Sequence, residues 1–160
     1  MTRRARILVI NPNSNEVVTE GLRQAVLPLC YAEGPEIVCE TIAEGPIGVE
    51  TQEHADSVTI PLRRKGTTSP VFGIAESGVL TALARADRFG VIAIKSRSIP
   101  RHIRYLRQMG LMDRLVGERP LEMSVAETAS GDRTLERMIA IGRELKEIDG
   151  AGAIVMGCAG

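Results

Sequence analysis

The chain has 160 residues, with 20 basic and 20 acidic side chains and a formal net charge of zero. Balanced charge removes the electrostatic case for nucleic acid or an anionic membrane surface as partner. The aromatics are Tyr31, Phe72, Phe89 and Tyr105, with no Trp, which argues against base-stacking and sugar-stacking platforms.

Residues 6–10 form a short β-branched run bounded by turn residues and predict a buried strand. Asn11-Pro12-Asn13-Ser14-Asn15 follows, a cluster of turn and cap formers. Asn13 is placed to cap a helix whose third position is Glu16, an Asn form of the capping box. Val18, Leu22, Ala25, Val26 and Leu29 then make a core-facing stripe, which Pro28 ends or kinks. Residues 36–41 predict the second strand, 45–48 a loop, and 49–60 a helix with Pro61 near its end. Residues 63–69 have no apolar pattern.

Residues 70–74 predict another short strand, and a helix from Glu76 to about Arg85 presents Val79, Leu80 and Leu83 on one face. Residues 88–94 predict a strand with Lys95-Ser96-Arg97-Ser98 as its exit loop. Ser98 is placed to cap a helix with Pro100 in its first turn, where proline is tolerated. Ile99, Ile103, Leu106 and Met109 give its stripe, and Gly110 closes it. One further strand lies in 115–125. A last helix starts near Ser130 or Asp132 and carries Leu135, Met138, Ile139, Gly142, Leu145 and Ile148. The apolar run 153–156 closes the chain and stops at Gly157-Cys158-Ala159-Gly160.

Strands alternating with helices are the signature of βαβ units and a parallel sheet. The length suits one domain or two small lobes, with enough chain to bury a sizeable core. No apolar run approaches the roughly 20 residues of a membrane span. The basic start at Arg3-Arg4 leads into a strand and not an apolar leader, so no signal peptide is read there. Cys30, Cys39 and Cys158 are odd in number and widely spaced, without a Cys-x-x-Cys pair. That pattern fits a reducing cytoplasm and neither a disulfide framework nor a zinc site.

The thiol of interest is Cys158. It ends a strand among small residues, at the edge where open α/β sheets bind ligands. The bland alternative is a buried small hydrophobe. Asn13 and Ser14 are explained by helix capping, which is compatible with ligand binding because a helix N-terminus attracts anions. A faint echo links the strand leading to Asn13-Ser14 with the strand leading to Ser96-Arg97-Ser98, as though two halves faced each other across a cleft. Ser96 is the second-half counterpart, or a plain loop serine. Cys30 and Cys39 read as core thiols, in the first helix and second strand. His54 and His102 read as surface histidines, the latter among Arg101, Arg104 and Arg107 on a solvated face. Gly150-Ala151-Gly152 is a helix stop, since it precedes a strand and lacks the rest of a dinucleotide fingerprint.

Five motifs in order carry a resemblance. They are residues 7–14 (ILVINPNS), 72–76 (FGIAE), 89–94 (FGVIAI), 97–102 (RSIPRH) and 155–160 (VMGCAG). Together they resemble the Asp/Glu/hydantoin racemase family, nearest its hydantoin and allantoin racemase branch. The resemblance implies an α/β fold of parallel-sheet, flavodoxin-like lobes related by a pseudo-two-fold axis, with the active site between them. It divides the chain into a first lobe, residues 1–74, and a second, residues 75–160.

The family's activity implies cofactor-independent racemisation beside a carbonyl, by two cysteines working from opposite faces of the substrate. Cys158 matches the second cysteine. Asn13 and Ser14 match the loop that holds the substrate's polar atoms. Ser96, Gly157, Ala159 and Gly160 complete the candidate contacts, the last two through backbone N–H groups. No metal or cofactor is expected. The partner is a small hydantoin-like carbonyl compound, and a cytoplasmic homo-oligomer is expected. The family's first cysteine belongs to a strand between the second helix and residues 70–74. Here only Pro61 to Ser69 fill that space, without a cysteine. The chain thus reads as internally shortened, with an incomplete first lobe, and family members continue beyond Gly160. Two rivals follow: a single-cysteine relative resembling the arylmalonate decarboxylases, and a non-catalytic remnant of the fold.

Overall fold

The computed structural model describes residues 4–66, 70–128 and 132–157. The chain divides into two compact units, one formed by residues 1–49 and 53–69, the other by residues 50–52 and 70–159.

In the first unit, β1 (Arg6–Asn11) pairs in parallel with β2 (Glu36–Thr41), Asn11 lying opposite Thr41. The crossover is α1 (Glu16–Val26) and a 3-10 turn at Leu27–Leu29, where Pro28 removes the N–H that would continue the α-helix. The helix begins two residues later than Asn13 would have set it: Asn15 is the cap, and its side chain accepts the Val17 N–H at 3.1 Å. The expected helix over 49–60 is two short ones, α2 (Gln52–Ser57) and α3 (Thr59–Lys65). Pro61 explains the break. It offers no N–H to the carbonyl four residues back, and so falls in the first turn of a new helix.

The second unit holds a three-stranded parallel sheet in the order β4-β3-β5, made of β3 (Phe89–Ala93), β4 (Leu115–Pro120) and β5 (Ala153–Met156). Every residue of the central β3 is buried, as a parallel strand covered on both faces requires. Phe89 and Val91 pack with Val79, Ala82 and Leu106 of α4 (Ile74–Leu83) and α5 (Ile99–Gln108). Ile92 packs with Leu121, Met123, Leu145 and Ala151, Leu145 coming from α7 (Asp132–Glu147). Gly90 makes that packing possible, since a Cβ there would lie 2.9 Å from Leu145 Cδ2.

Several expectations are corrected. Residues 70–73 form no strand, and α4 starts at Ile74; Val71 and Phe72 are exposed, Phe72 by 80%. Leu80, Leu135, Ile139 and Ile148 are exposed rather than core-facing. Their helices bury narrower stripes: Val79 and Ala82 on α4, Leu145 with the partly buried Met138 and Ile141 on α7. The strand expected in 115–125 ends at Pro120, although Leu121 and Met123 extend its pairing by donating to Ala93 and Ile94 carbonyls. The short α6 (Val125–Thr128) is opened by a capping box, Ser124 and Glu127, that holds both backbone N–H groups. No helix among the described residues is long and apolar enough to cross a membrane.

Candidate functional site

In a parallel α/β sheet the chemistry collects at the C-terminal ends of the strands. The first unit offers the loop after β1. Asn11, 1% exposed, is its hub. Its amide NH2 donates to Asn13 Oδ1 (2.9 Å), the Asn15 carbonyl (3.1 Å) and Thr19 Oγ1 (3.0 Å). Its own oxygen accepts the Asn13 N–H at 3.1 Å. Asn13 Oδ1 also accepts the Asn15 N–H at 3.0 Å, so that oxygen is committed to the loop and further contacts by Asn13 fall to its amide NH2. Thr19 and Thr41 share a hydrogen bond of 2.6 Å. The Ser14 N–H donates to the Pro46 carbonyl at 2.9 Å, and Gly45 lets that segment come close, since a Cβ there would meet the Pro12 carbonyl oxygen at 2.5 Å. That N–H is therefore committed within the unit. Sequence reasoning missed Asn11 and Thr19. The signal was a polar residue at the end of an otherwise apolar strand, eight positions before a threonine on the buried face of α1.

The second unit offers the loop after β3. Ser96 is exposed, and its N–H donates to Glu122 Oε1 at 3.2 Å. Glu122 has φ +53°, the one positive φ outside glycine among the described residues. Ser98 does not cap α5 with its hydroxyl, which instead donates to the Lys95 carbonyl at 2.8 Å. Gly157 lies at the end of β5 beside β3. Its N–H donates to the Ile92 carbonyl at 2.8 Å, and a Cβ would come within 2.6 Å of the same oxygen. Only glycine fits this approach, and its N–H is committed to the sheet. Cys158, Ala159 and Gly160 lie outside the described residues.

Glu50 was not anticipated. Its side chain is 14% exposed and pairs with Lys95 Nζ at 3.3 Å and with the Arg97 guanidinium. Its other oxygen accepts the Val125 N–H at 3.3 Å. Burial pushes this carboxyl's pKa up, but the Val125 N–H, Lys95 and Arg97 together outweigh burial and hold it below the usual glutamate range. The neighbouring Thr51 and Gln52 are held in turn by Arg101 and Arg104 of α5. Burial, and to a smaller extent the adjacent Arg104, lowers the Arg101 pKa, so this arginine is not on a freely solvated face.

Among the remaining cysteines and histidines, Cys39 is the core thiol expected, and Cys30 and His102 differ from expectation. Cys39 is buried in mid-β2, and burial pushes its thiol pKa up. Cys30, by contrast, is exposed just beyond the 3-10 turn and not in the core, its thiol 3.6 Å from the Val26 carbonyl oxygen. His102 is not a free surface histidine: its Nδ1 contacts Oε1 of Glu118, whose side chain is 1% exposed. Glu118 Oε2 is buried with no hydrogen-bond partner among the described residues. His54 is half-buried in α2. Among the described residues no group of three or more His, Cys, Asp or Glu side chains is placed to hold a metal ion.

Residues 56–160 match the Asp/Glu/hydantoin racemase family model. A hydantoin racemase from a Pseudomonas species is 27% identical over 183 residues, covering 97% of this chain and 73% of the relative. One from Paenarthrobacter aurescens is 28% identical over 185 residues, covering 97% of this chain and 78% of the relative. Both alignments are longer than the 160 residues of this chain, so each relative carries residues inside the aligned stretch that are missing here. The fold is that of the allantoin racemase from Klebsiella pneumoniae, with a TM-score of 0.90 at 23% identity over 97% of this chain and 74% of that one. The allantoin racemase from Pseudomonas fluorescens gives 0.85 at 21% identity, over 96% of this chain and 77% of that one.

Proposed function

The chain belongs to the Asp/Glu/hydantoin racemase family and is a racemase-type isomerase by that kinship, and from this premise we propose that it moves the proton on the carbon beside a carbonyl of a 5-substituted hydantoin or allantoin, without a cofactor. The observation that carries the reading is the match to two hydantoin racemases over 97% of this chain.

Cys158 is the proton-transfer group in this proposal. Its thiolate takes the ring C–H proton, and the C–H electron pair moves into the carbonyl to leave an enolate. The resulting thiol returns a proton to carbon, and the carbonyl re-forms. Asn13, through its amide NH2, and Ser14 and Ser96, through their hydroxyls, hold the ring's polar atoms. Backbone N–H groups of Ala159 and Gly160 stabilise the enolate oxygen. Gly157 contributes by its lack of a side chain.

No second thiol enters the scheme. Cys39 is buried in a strand with a raised pKa, and Cys30 lies exposed beyond α1. A single thiol works on one face, so exchange of the ring proton with solvent outruns inversion. The same observation favours the second reading, a decarboxylase-like enzyme in which one thiol protonates an enediolate. Loss of the ring C–H signal of a chiral hydantoin in D2O, followed by proton NMR with Cys158→Ala as control, tests the proposal. Exchange without carbon dioxide release from an arylmalonate favours the racemase reading over the decarboxylase. Exchange no faster than the control overturns both and leaves a non-catalytic member of the fold. We also expect a cytoplasmic homo-oligomer, which the exposed Val71, Phe72 and Ile74 support; a clean monomer in sedimentation velocity would count against self-association.

A further inference from the structure

We propose that Glu50 is a positioning residue for Ser96, clamping the loop after β3 in the shape that presents the Ser96 hydroxyl to substrate; this rests on Ser96 being a substrate contact. The two residues flanking Ser96 are both cations, Lys95 and Arg97, and both pair with Glu50 Oε2. The carboxylate is the more buried partner: side-chain exposures are 14% for Glu50, 26% for Lys95 and 51% for Arg97. A carboxylate so withdrawn from water needs its charge matched, and here the match comes from the two neighbours of one serine. Glu50 Oε1 is used separately, on the Val125 N–H at the start of α6. The Ser96 N–H is held from another side by Glu122. Flanks and backbone of Ser96 are therefore fixed by two carboxylates, while Ser96 itself stays exposed. The anchor is firm because Glu50-Thr51-Gln52 is laid along α5, with Arg101 donating to the Thr51 carbonyl at 2.9 Å and Arg104 to Gln52 Oε1 at 3.0 Å.

Glu50→Gln keeps the oxygen facing Val125 and removes the charge, so it separates the clamp from the α6 contact. In the ring-proton exchange assay the full-length variant is expected to raise KM roughly tenfold with kcat little changed, the mark of lost substrate positioning. Ser96→Ala should do the same. The double variant should be no worse than either single one, because residues acting through one contact are not additive. Glu50→Asp, which keeps the charge, should recover part of the loss. In hydrogen exchange, the Ser96 and Ser98 amides should exchange faster in Glu50→Gln, with β3 unchanged.

An unaltered KM overturns the proposal, as does a double variant whose losses multiply toward roughly a hundredfold. A wild-type chain with no proton exchange overturns the proton-transfer reading alone. The amides of Ser96 and Ser98 then decide the clamp: faster exchange in Glu50→Gln supports it, and an unchanged rate overturns it.

Discussion

The two units contain the same device, a β-strand, a polar loop and a helix leading to a parallel neighbour strand, yet they hold the loop by different forces. The loop after β1 is held by neutral amides and hydroxyls around Asn11, all within a short stretch apart from Thr41. The loop after β3 is held by ion pairs to Glu50, 45 and 47 positions away, with an additional carboxylate from Glu122. Their supports differ too. Both clusters of buried apolar side chains found among the described residues lie in the second unit, around β3. The first unit buries Val18, Cys39, Ile42 and Val58 along with Asn11, Asn13 and Thr19, a smaller and more polar interior over a two-stranded sheet. Packing sets stability in the second unit. In the first, satisfied hydrogen bonds set the shape.

Phe89→Ala strikes at the packing side of this contrast and should have the largest effect. Phe89 is fully buried against α4 and α5. Truncating such a side chain costs about 3–5 kcal/mol, and urea unfolding should show it as a loss of that size. Hydrogen exchange should place the loss in β3, β4 and β5. A cost under about 1 kcal/mol would show that β3 is not the strand on which the second unit is built.

Asn11→Ala strikes at the polar side. It leaves the Asn13 N–H and Thr19 hydroxyl short of a partner in a buried place, which costs about 1–3 kcal/mol. Amides of residues 13–15 should exchange faster while those of 95–98 keep their wild-type rates. Equal loosening of both loops would erase the distinction between them.

What was legible in the sequence follows the same division. The five-residue core strand β3, the α5 stripe and the alternation of strands with helices are short-range patterns, and the structure has them. Residues 70–74 carry a strand-like pattern, but periodicity records composition and not whether a partner strand is there to pair with; Val71 and Phe72 stay exposed. The cap is Asn15 and not the expected Asn13 because Asn11, Asn13, Ser14 and Asn15 are all competent caps, and only the hub hydrogen bonds decide among them. Gly157 was legible as a small residue at the end of a strand run, though not as one that a backbone oxygen forbids to change; Cys158 lies outside the described residues. Glu50 was illegible. Nothing local marks it, and its partners lie in a different stretch of the chain.

Acid offers the finest separation of the two devices, and the smallest expected effect. The Glu50 carboxyl is held below its ordinary value near 4.5. Folding therefore favours the ionised form. The clamp's contribution is complete above about pH 4.5 and is lost as pH falls through the lowered folded value. The amide network has no group that titrates in this range: Asn11, Asn13, Asn15, Thr19 and Thr41 are neutral throughout. At neutral pH, wild type should exceed Glu50→Gln in stability by about 1 kcal/mol, the scale of a hydrogen-bonded, partly solvated charge pair. As pH falls through the lowered folded value the two should converge, because the wild-type carboxyl then becomes the neutral acid that glutamine imitates. Protection at 95–98 should fall over the same window, with 13–15 changing little. Wild type and Glu50→Gln keeping a constant stability difference from pH 7 to pH 3 would mean that the charge on Glu50 is not what holds the second loop.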